Sequence, residues 1–274
     1  MASPVSWDDR RARRSVGCPP AAYSGAMEAT APASERPTSE PLNVKAIRRA
    51  RLAYRSHLAD AVDVLLALGD SPGFARAWRS VSASLSWNHR PSARRLWELA
   101  RLPMEGEIVE IGSYMGNSTV FLALAAGQVH AVDPHSAESM TQVPWHETNP
   151  DHASGAGDPS LAFLSNLERF GVGDLVVYHR MESVAAARSW SGEPVRLLYI
   201  DGLHTFEAVS EDYRAWRRWL AEDHVVLFDD FLWKPVEHAV RELRRSFRPA
   251  HFYIRGGQAI FSSRPLSLRV AGFP

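Results

Sequence analysis

Beyond residue 103 the chain falls into short apolar runs separated by helical or loop segments. The runs are Glu107 to Ile111, Gln128 to Val132, Leu175 to Tyr178, Val195 to Ile200 and Val225 to Phe228. Strand alternating with helix predicts a parallel, doubly wound sheet, because parallel neighbours need crossover connections that cover the sheet's faces. Near the end, His251 to Ile254 and Gln258 to Phe261 flank Arg255-Gly256-Gly257, whose glycines supply the positive backbone dihedrals of a tight turn. The pattern therefore predicts an α/β, Rossmann-like, mostly parallel sheet closed by a C-terminal antiparallel hairpin and preceded by N-terminal helices.

Ahead of that region the texture differs. Residues 1–42 are rich in Ala, Pro, Ser, Glu and Arg without sustained apolar periodicity, and such a composition predicts a disordered tail. From Val44 to Leu68 the positions Ile47, Leu52, Leu58, Val62, Leu65, Leu66 and Leu68 recur near helical spacing, and Gly69-Asp70-Ser71-Pro72 ends the pattern. A short helix is expected over Phe74 to Leu85, and Pro91 opens another that runs from Ser92 to Leu102. The expected organisation is a tail at 1–42, a helical region at 43–102 and a catalytic domain at 103–274. The connection from Pro134 to about Pro159 is too long for an ordinary strand-to-helix loop. Its His135, Trp145, His146 and His152 suit a substrate lid, and equally suit surface residues with no task.

Composition narrows the partners. A chain of 274 residues, 45% hydrophobic, can bury one sizeable core. Lys plus Arg and Asp plus Glu are both 31, so no net field favours nucleic acid or an anionic membrane. The arginine clusters Arg48-Arg49, Arg94-Arg95, Arg217-Arg218 and Arg241 to Arg248 read as solvated helix faces. The single cysteine, Cys18, excludes an internal disulfide framework and any cysteine zinc cluster, and it suits a reducing compartment. No apolar run approaches the roughly 20 residues of a membrane span, and no signal-peptide core follows Arg14. The expectation is a cytoplasmic protein, unexported, acting on a small molecule.

The first chemical signal is Val109-Glu110-Ile111-Gly112-Ser113-Tyr114-Met115-Gly116-Asn117-Ser118, which reads as strand, glycine turn and helix. A dinucleotide site would show Gly-x-Gly-x-x-Gly, but here the glycines stand four apart and an acid precedes them. Glu110 would repel a pyrophosphate and attract an ammonium. About 20 residues on, the next strand ends in Asp133, where an acid can bind ribose hydroxyls. The pair of signals resembles the class I S-adenosylmethionine-dependent methyltransferases. The resemblance implies that Glu110, Gly112, Ser113, Tyr114, Met115, Gly116, Asn117 and Ser118 line the methionine part of that cofactor and Asp133 its ribose. It also puts Met181-Glu182-Ser183 near the adenine. The alternative is a glycine turn shaped only for packing, with Asp133 as a cap before Pro134.

The second signal is a set of strand-end acids: Asp201-Gly202-Leu203-His204 after one run, and Asp229-Asp230-Phe231 after another. Three acids at one crevice call for a cation, and hard oxygen ligands suit Mg²⁺. With Asp212-Tyr213-Arg214-Ala215-Trp216, these motifs resemble the metal-dependent macrolide deoxysugar O-methyltransferase family over about residues 90–262. That resemblance implies metal ligands Asp201, Asp229 and Asp230, with Asp201 also bordering the cofactor and His204 as general base. It also implies a homo-oligomer. Asp229 stands where some relatives carry Glu. Trp216, Trp219 and Trp233 read as packing residues. The expected activity is Mg-dependent transfer of a methyl group from S-adenosylmethionine to a hydroxyl of a small specialised metabolite. The alternatives are a metal-independent N- or O-methyltransferase and a catalytically silent cofactor-binding assembly subunit.

Overall fold

A computed structural model describes residues 70–82, 90–136 and 158–267. The expected tail at 1–42, the helix expected at Val44 to Leu68, and Trp145, His146 and His152 lie outside the described residues. Two helices come first, α1 (Pro72–Ser82) and α2 (Arg90–Ala100). There follow β1 (Glu107–Ile111), α3 (Asn117–Ala126), β2 (Val129–Val132), α4 (Pro159–Arg169), β3 (Val176–His179) and α5 (Ser183–Ser189). The rest is β4 (Val195–Ile200), α6 (Phe206–Trp216), β5 (Leu220–Phe228), α7 (Lys234–Phe247), β6 (His251–Arg255) and β7 (Gln258–Ser262). The seven strands form one sheet in the order β3-β2-β1-β4-β5-β7-β6. The first five are mutually parallel, while β7 runs antiparallel to both β5 and β6. The mostly parallel sheet with an antiparallel C-terminal pair is the architecture expected from the sequence. β5 begins five residues earlier than its apolar run, because Leu220 to His224 is only partly buried and carries two charges.

Both faces of the central strands are covered, which is why those strands read as continuous apolar runs rather than alternating ones. One layer packs Phe74, Leu96, Trp97, Phe121 and Phe163 from α1, α2, α3 and α4 against Ile108, Ala131, Tyr199 and Leu227. The other packs Val209, Tyr213, Trp216, Val240 and Leu243 from α6 and α7 against Val109, Leu198, Val226 and Phe261. Helices α1 and α2 thus belong to the layer that covers the sheet, although they precede the domain boundary expected at residue 103. Among the described residues no helix is long and apolar enough to cross a membrane.

Candidate active site

The chain runs from β1 outward to β2 and β3, then returns to β4 and β5 on the other side. Loops leaving the C-terminal ends of β1 and β4 therefore diverge, and a crevice opens between them. A cavity of about 350 Å³ lies there. Its walls are Gly112 and Tyr114 after β1, Asp133 and Pro134 after β2, Glu182 and Ser183 at the start of α5, Asp201 to His204 after β4, Ala208 and Asp212 on α6, and Asp230 after β5.

The glycine turn is required first by the chain itself. Gly112 has φ 85°, and a Cβ there would stand 2.2 Å from the carbonyl oxygen of Asp201. Gly116 also has φ 85°, and a Cβ would meet the Phe163 ring at 3.1 Å. The sequence assigned these glycines to close approach of a ligand. The structure gives them left-handed backbone and close approach to β4 and α4, so that Asp201 is pressed against the turn. Tyr114 between them holds φ 44°, an uncommon conformation for a side chain of its size. Its N–H donates to Asp133 Oδ2 at 2.9 Å, and the His135 N–H donates to Asp133 Oδ1 at 2.7 Å. The buried His135 ring bridges the Tyr114 carbonyl oxygen at 2.6 Å and the Tyr178 hydroxyl at 2.5 Å. His135 is thus a brace for the turn, not a solvent-facing loop residue, and Asp133 is both brace and cavity wall. Each Asp133 oxygen keeps acceptor capacity beyond its one backbone donor.

Of the residues expected at a cofactor, Gly112, Tyr114, Asp133, Ser183 and Asp201 wall the cavity, while Glu110, Ser113, Met115, Gly116, Asn117, Ser118 and Met181 do not. Strand alternation explains Glu110: Val109 and Ile111 face α6, so Glu110 faces α3. It is fully buried, and Thr119 Oγ1 donates to its Oε2. Burial pushes its carboxyl up to about 7, against the opposing pull of the Ser118, Thr119 and Ser113 hydroxyls, with the Asp133 charge adding to the rise. Although those hydroxyls are near, Glu110 Oε1 has no hydrogen-bond partner among the described residues, nor do Ser113 Oγ and Asn117 Oδ1. The Met115 carbonyl oxygen accepts from Asn166 Nδ2 at 2.9 Å, which ties the turn to α4.

At the other end of the crevice, His204 Nε2 lies 3.1 Å from Asp230 Oδ2 and 3.5 Å from Asp201 Oδ1. These are ion-pair distances, and Nε2 meets hydrogen-bond geometry with neither. One donor atom from each of Asp201, His204 and Asp230 falls within 4.8 Å of the others, a spacing that a single metal ion can bridge. The sequence named Asp201, Asp229 and Asp230 as that trio. Asp229 instead turns inward: its Oδ2 accepts from the Tyr199 hydroxyl at 2.5 Å and Gln258 Nε2 at 3.2 Å, and its Oδ1 from the Asp230 N–H at 2.8 Å. Asp230 reaches the crevice by adopting φ 47°.

The electrostatics follow from this crowding. Burial, then the Asp229 charge, push the Asp201 carboxyl up to about 7, with His204 opposing. Burial and Asp229 also raise Asp230. Burial lowers His204, but the carboxylates of Asp201, Asp230 and Asp229 outweigh it and leave the imidazole above its ordinary value. The Tyr199 hydroxyl lies 2.5 Å from Asp229 and 3.0 Å from Asp201 yet has one proton to give. A proton on Asp201 satisfies the second contact. The Trp233 ring sits 5.2 Å from His204 and forms a wall beside it.

Sequence reasoning missed four members of this arrangement. Tyr199 is fully buried in the central strand, and a phenol two residues before Asp201 inside an apolar run was the one available signal. Thr119 sits on α3, in the helix that the glycine turn opens. Gln258 carries no local signal, and Arg94 and Arg95, read from the sequence as a solvated helix face, are instead buried, with Arg95 Nη1 donating to Gln258 Oε1 from 163 residues away.

Residues 109–231 match the family model described as a methyltransferase domain. This stretch of the chain is similar to a methyltransferase domain. The matched span runs from β1 through Asp230 and so contains every wall of the crevice. Among solved structures, the O-methyltransferase NovP superposes with a TM-score of 0.53 at 13% identity, covering 64% of this chain and 81% of that one. A protein from Corynebacterium glutamicum gives 0.51 at 12% identity, covering 73% and 93%. At these identities the likeness is one of fold.

Proposed function

We propose that this methyltransferase domain uses S-adenosylmethionine to methylate a hydroxyl of a small specialised metabolite, with a divalent cation, Mg²⁺ by ligand chemistry, at Asp201 and Asp230. The observation that carries the reading is one cavity with two ends, a braced glycine turn at Asp133 and a carboxylate-imidazole cluster at Asp201, His204 and Asp230. Both groups suit the residues present. The unpartnered buried oxygens of Glu110, Ser113 and Asn117 lie in and behind the turn, off the cavity wall, and the acceptor-rich turn they make favours a cationic amino acid end over a phosphate. Hard carboxylate oxygens with repelling charges suit a hard cation.

Bound S-adenosylmethionine supplies an electrophilic methyl on a positively charged sulfur. A bound Mg²⁺ supplies Lewis acidity toward the acceptor oxygen. The chain's own residues do the remainder. Asp133 accepts from the ribose hydroxyls and fixes the cofactor's position along the crevice. Asp201 and Asp230 hold the cation, while Asp229, anchored by Tyr199 and Gln258, sets the backbone that presents Asp230. His204 accepts the acceptor's proton at Nε2, and the adjacent carboxylates stabilise the resulting imidazolium. Alignment then supplies the rate, as methyl transfer needs no covalent enzyme intermediate. A sugar or glycoside hydroxyl is the acceptor that the Asp-Gly-x-His and Asp-Asp resemblance favours.

The 4.8 Å grouping also supports a second reading in which His204 is the third cation ligand. Calorimetric titration of the chelated full chain with S-adenosylhomocysteine and with MgCl₂, repeated on Asp230→Ala and His204→Gln, tests both. Cofactor heat in all three proteins, with Mg²⁺ heat lost only in Asp230→Ala, supports His204 as base. Mg²⁺ heat lost in both variants makes it a ligand. Absence of cofactor heat in the wild type overturns the proposal, and activity that survives chelation assigns a metal-free mechanism.

A further inference from the structure

We infer that Asp212 selects the base of the methyl donor, its carboxylate accepting a hydrogen bond from the exocyclic amine of adenine at the α5–α6 end of the cavity. The inference rests on the S-adenosylmethionine reading above and assigns a task to the Asp212-Tyr213-Arg214-Ala215-Trp216 motif, which that reading leaves unused.

Asp212 sits on α6, 7% exposed, and walls the cavity beside Glu182, Ser183 and Ala208. The motif orients it: the fully buried Trp216 donates from Nε1 to Ser183 Oγ at 3.0 Å, and the Ser183 hydroxyl lies beside the Asp212 carboxyl, where it favours the charged form. Trp216, one turn along the helix, thereby fixes which way the Ser183 hydroxyl points. Opposite stands Gly202, where a Cβ would lie 3.8 Å from Asp212 Oδ2 and 3.4 Å from Ile111, so the missing side chain leaves that oxygen open to the cavity. The charges acting on Asp212 are those of Glu182 and Glu211, both negative, and burial pushes its carboxyl up to about 7. Among the described residues it forms no ion pair with Lys, Arg or His. A buried carboxyl with one neutral hydroxyl partner calls for a further donor, and the side facing the cavity is where a ligand would bring one.

The donors of S-adenosylmethionine sort themselves along the crevice. Its ammonium belongs with the turn above Glu110, its ribose diol with Asp133, and its sulfonium methyl with the end at Asp201, His204 and Asp230. The remaining donor is the adenine amine; of the two carboxyls left on the wall, Glu182 is exposed to solvent and Asp212 is buried, so Asp212 is the one that needs a ligand donor. An amine there offers N–H to the carboxylate, whereas above about pH 8, where the carboxyl is ionised, the 6-oxo group of hypoxanthine would set acceptor against acceptor.

Calorimetry of the full-length chain at about pH 8.5, where Asp212 is ionised, with S-adenosylhomocysteine and S-inosylhomocysteine reads this directly. The wild type is expected to bind the adenosyl compound on the order of ten- to a hundred-fold more tightly. In Asp212→Asn, whose amide can present either a donor or an acceptor, that ratio is expected to collapse to about three-fold or less. A wild-type ratio near one overturns the inference without any variant, as does a folded Asp212→Asn that keeps the wild-type ratio. Binding of both compounds with equal strength leaves the methyl-donor reading intact, and binding of neither removes both.

Discussion

A buried acid with no counter-ion makes folding depend on pH, and Glu110 is such an acid. Its carboxyl is held near 7 in the folded chain against 4.5 when free, so folding favours the protonated form. For an acid shifted upward, the stability is fully present below the free value and is lost as pH rises through the folded one. The difference amounts to about 3 kcal/mol at full ionisation. The expected result is a melting temperature for the ligand-free protein that falls from about pH 5 to about pH 8, with a shallower fall in Glu110→Gln, measured by calorimetric scans in matched buffers. An equal slope in both proteins rejects Glu110 as a source. Tyr199 supports the opposite end of the crevice. Tyr199→Phe removes the proton shared by Asp229 and Asp201 and should cost about 1–3 kcal/mol in urea denaturation, and it should weaken Mg²⁺ binding in the chelated protein.

At the scale of elements, the turn between β1 and α3 is tuned by two glycines with different tolerances. Gly116→Ala forces an alanine to φ 85° and crowds Phe163, for which a loss of roughly 1–3 kcal/mol is expected in denaturant titration. Gly112→Ala faces backbone at 2.2 Å, which cannot give, so it should yield no folded protein in the same assay. The helices on the far side tolerate change by the ordinary cost of cavities: fully buried Leu243 in α7 should lose about 2–5 kcal/mol as Ala. Legibility also differs between elements. The central strands were readable because burial on both faces leaves an unbroken apolar run, and the β6–β7 turn because Gly256 and Gly257 carry positive φ. The partner of each strand-end acid was not readable, since Asp229 meets Gln258, from a hairpin strand that pairs beside β5.

For the molecule as a whole, the crevice concentrates negative charge: Asp133, Glu182, Asp201, Asp212 and Asp230 all wall one cavity. Mutual repulsion there is relieved by protonation or by a cation. Added Mg²⁺ should therefore raise the melting temperature of the chelated chain, with a stabilisation of about 2.7 kcal/mol when free metal is a hundred times its dissociation constant. The rise should vanish in Asp230→Ala, and a rise of equal size in that variant would place the ion elsewhere. Mg²⁺ should also flatten the pH dependence that comes from Asp201, and leave the part that comes from Glu110.

The sequence by itself determined the order and type of the elements described, the mostly parallel sheet with its antiparallel end, and the acids that stand where strands finish. Those features follow from hydrophobic period, glycine placement and residue type, all of which act over a few neighbours. Only tertiary structure decided how the acids divide. Parity along β1 turned Glu110 toward α3, and the Tyr199 and Gln258 partners drew Asp229 inward and left His204 between Asp201 and Asp230. The fold also set Asp212 and Ser183, 29 residues apart in sequence, at one cavity wall. A carboxylate's task depends on which donors reach it through space, and the strand order brings those donors from distant parts of the chain.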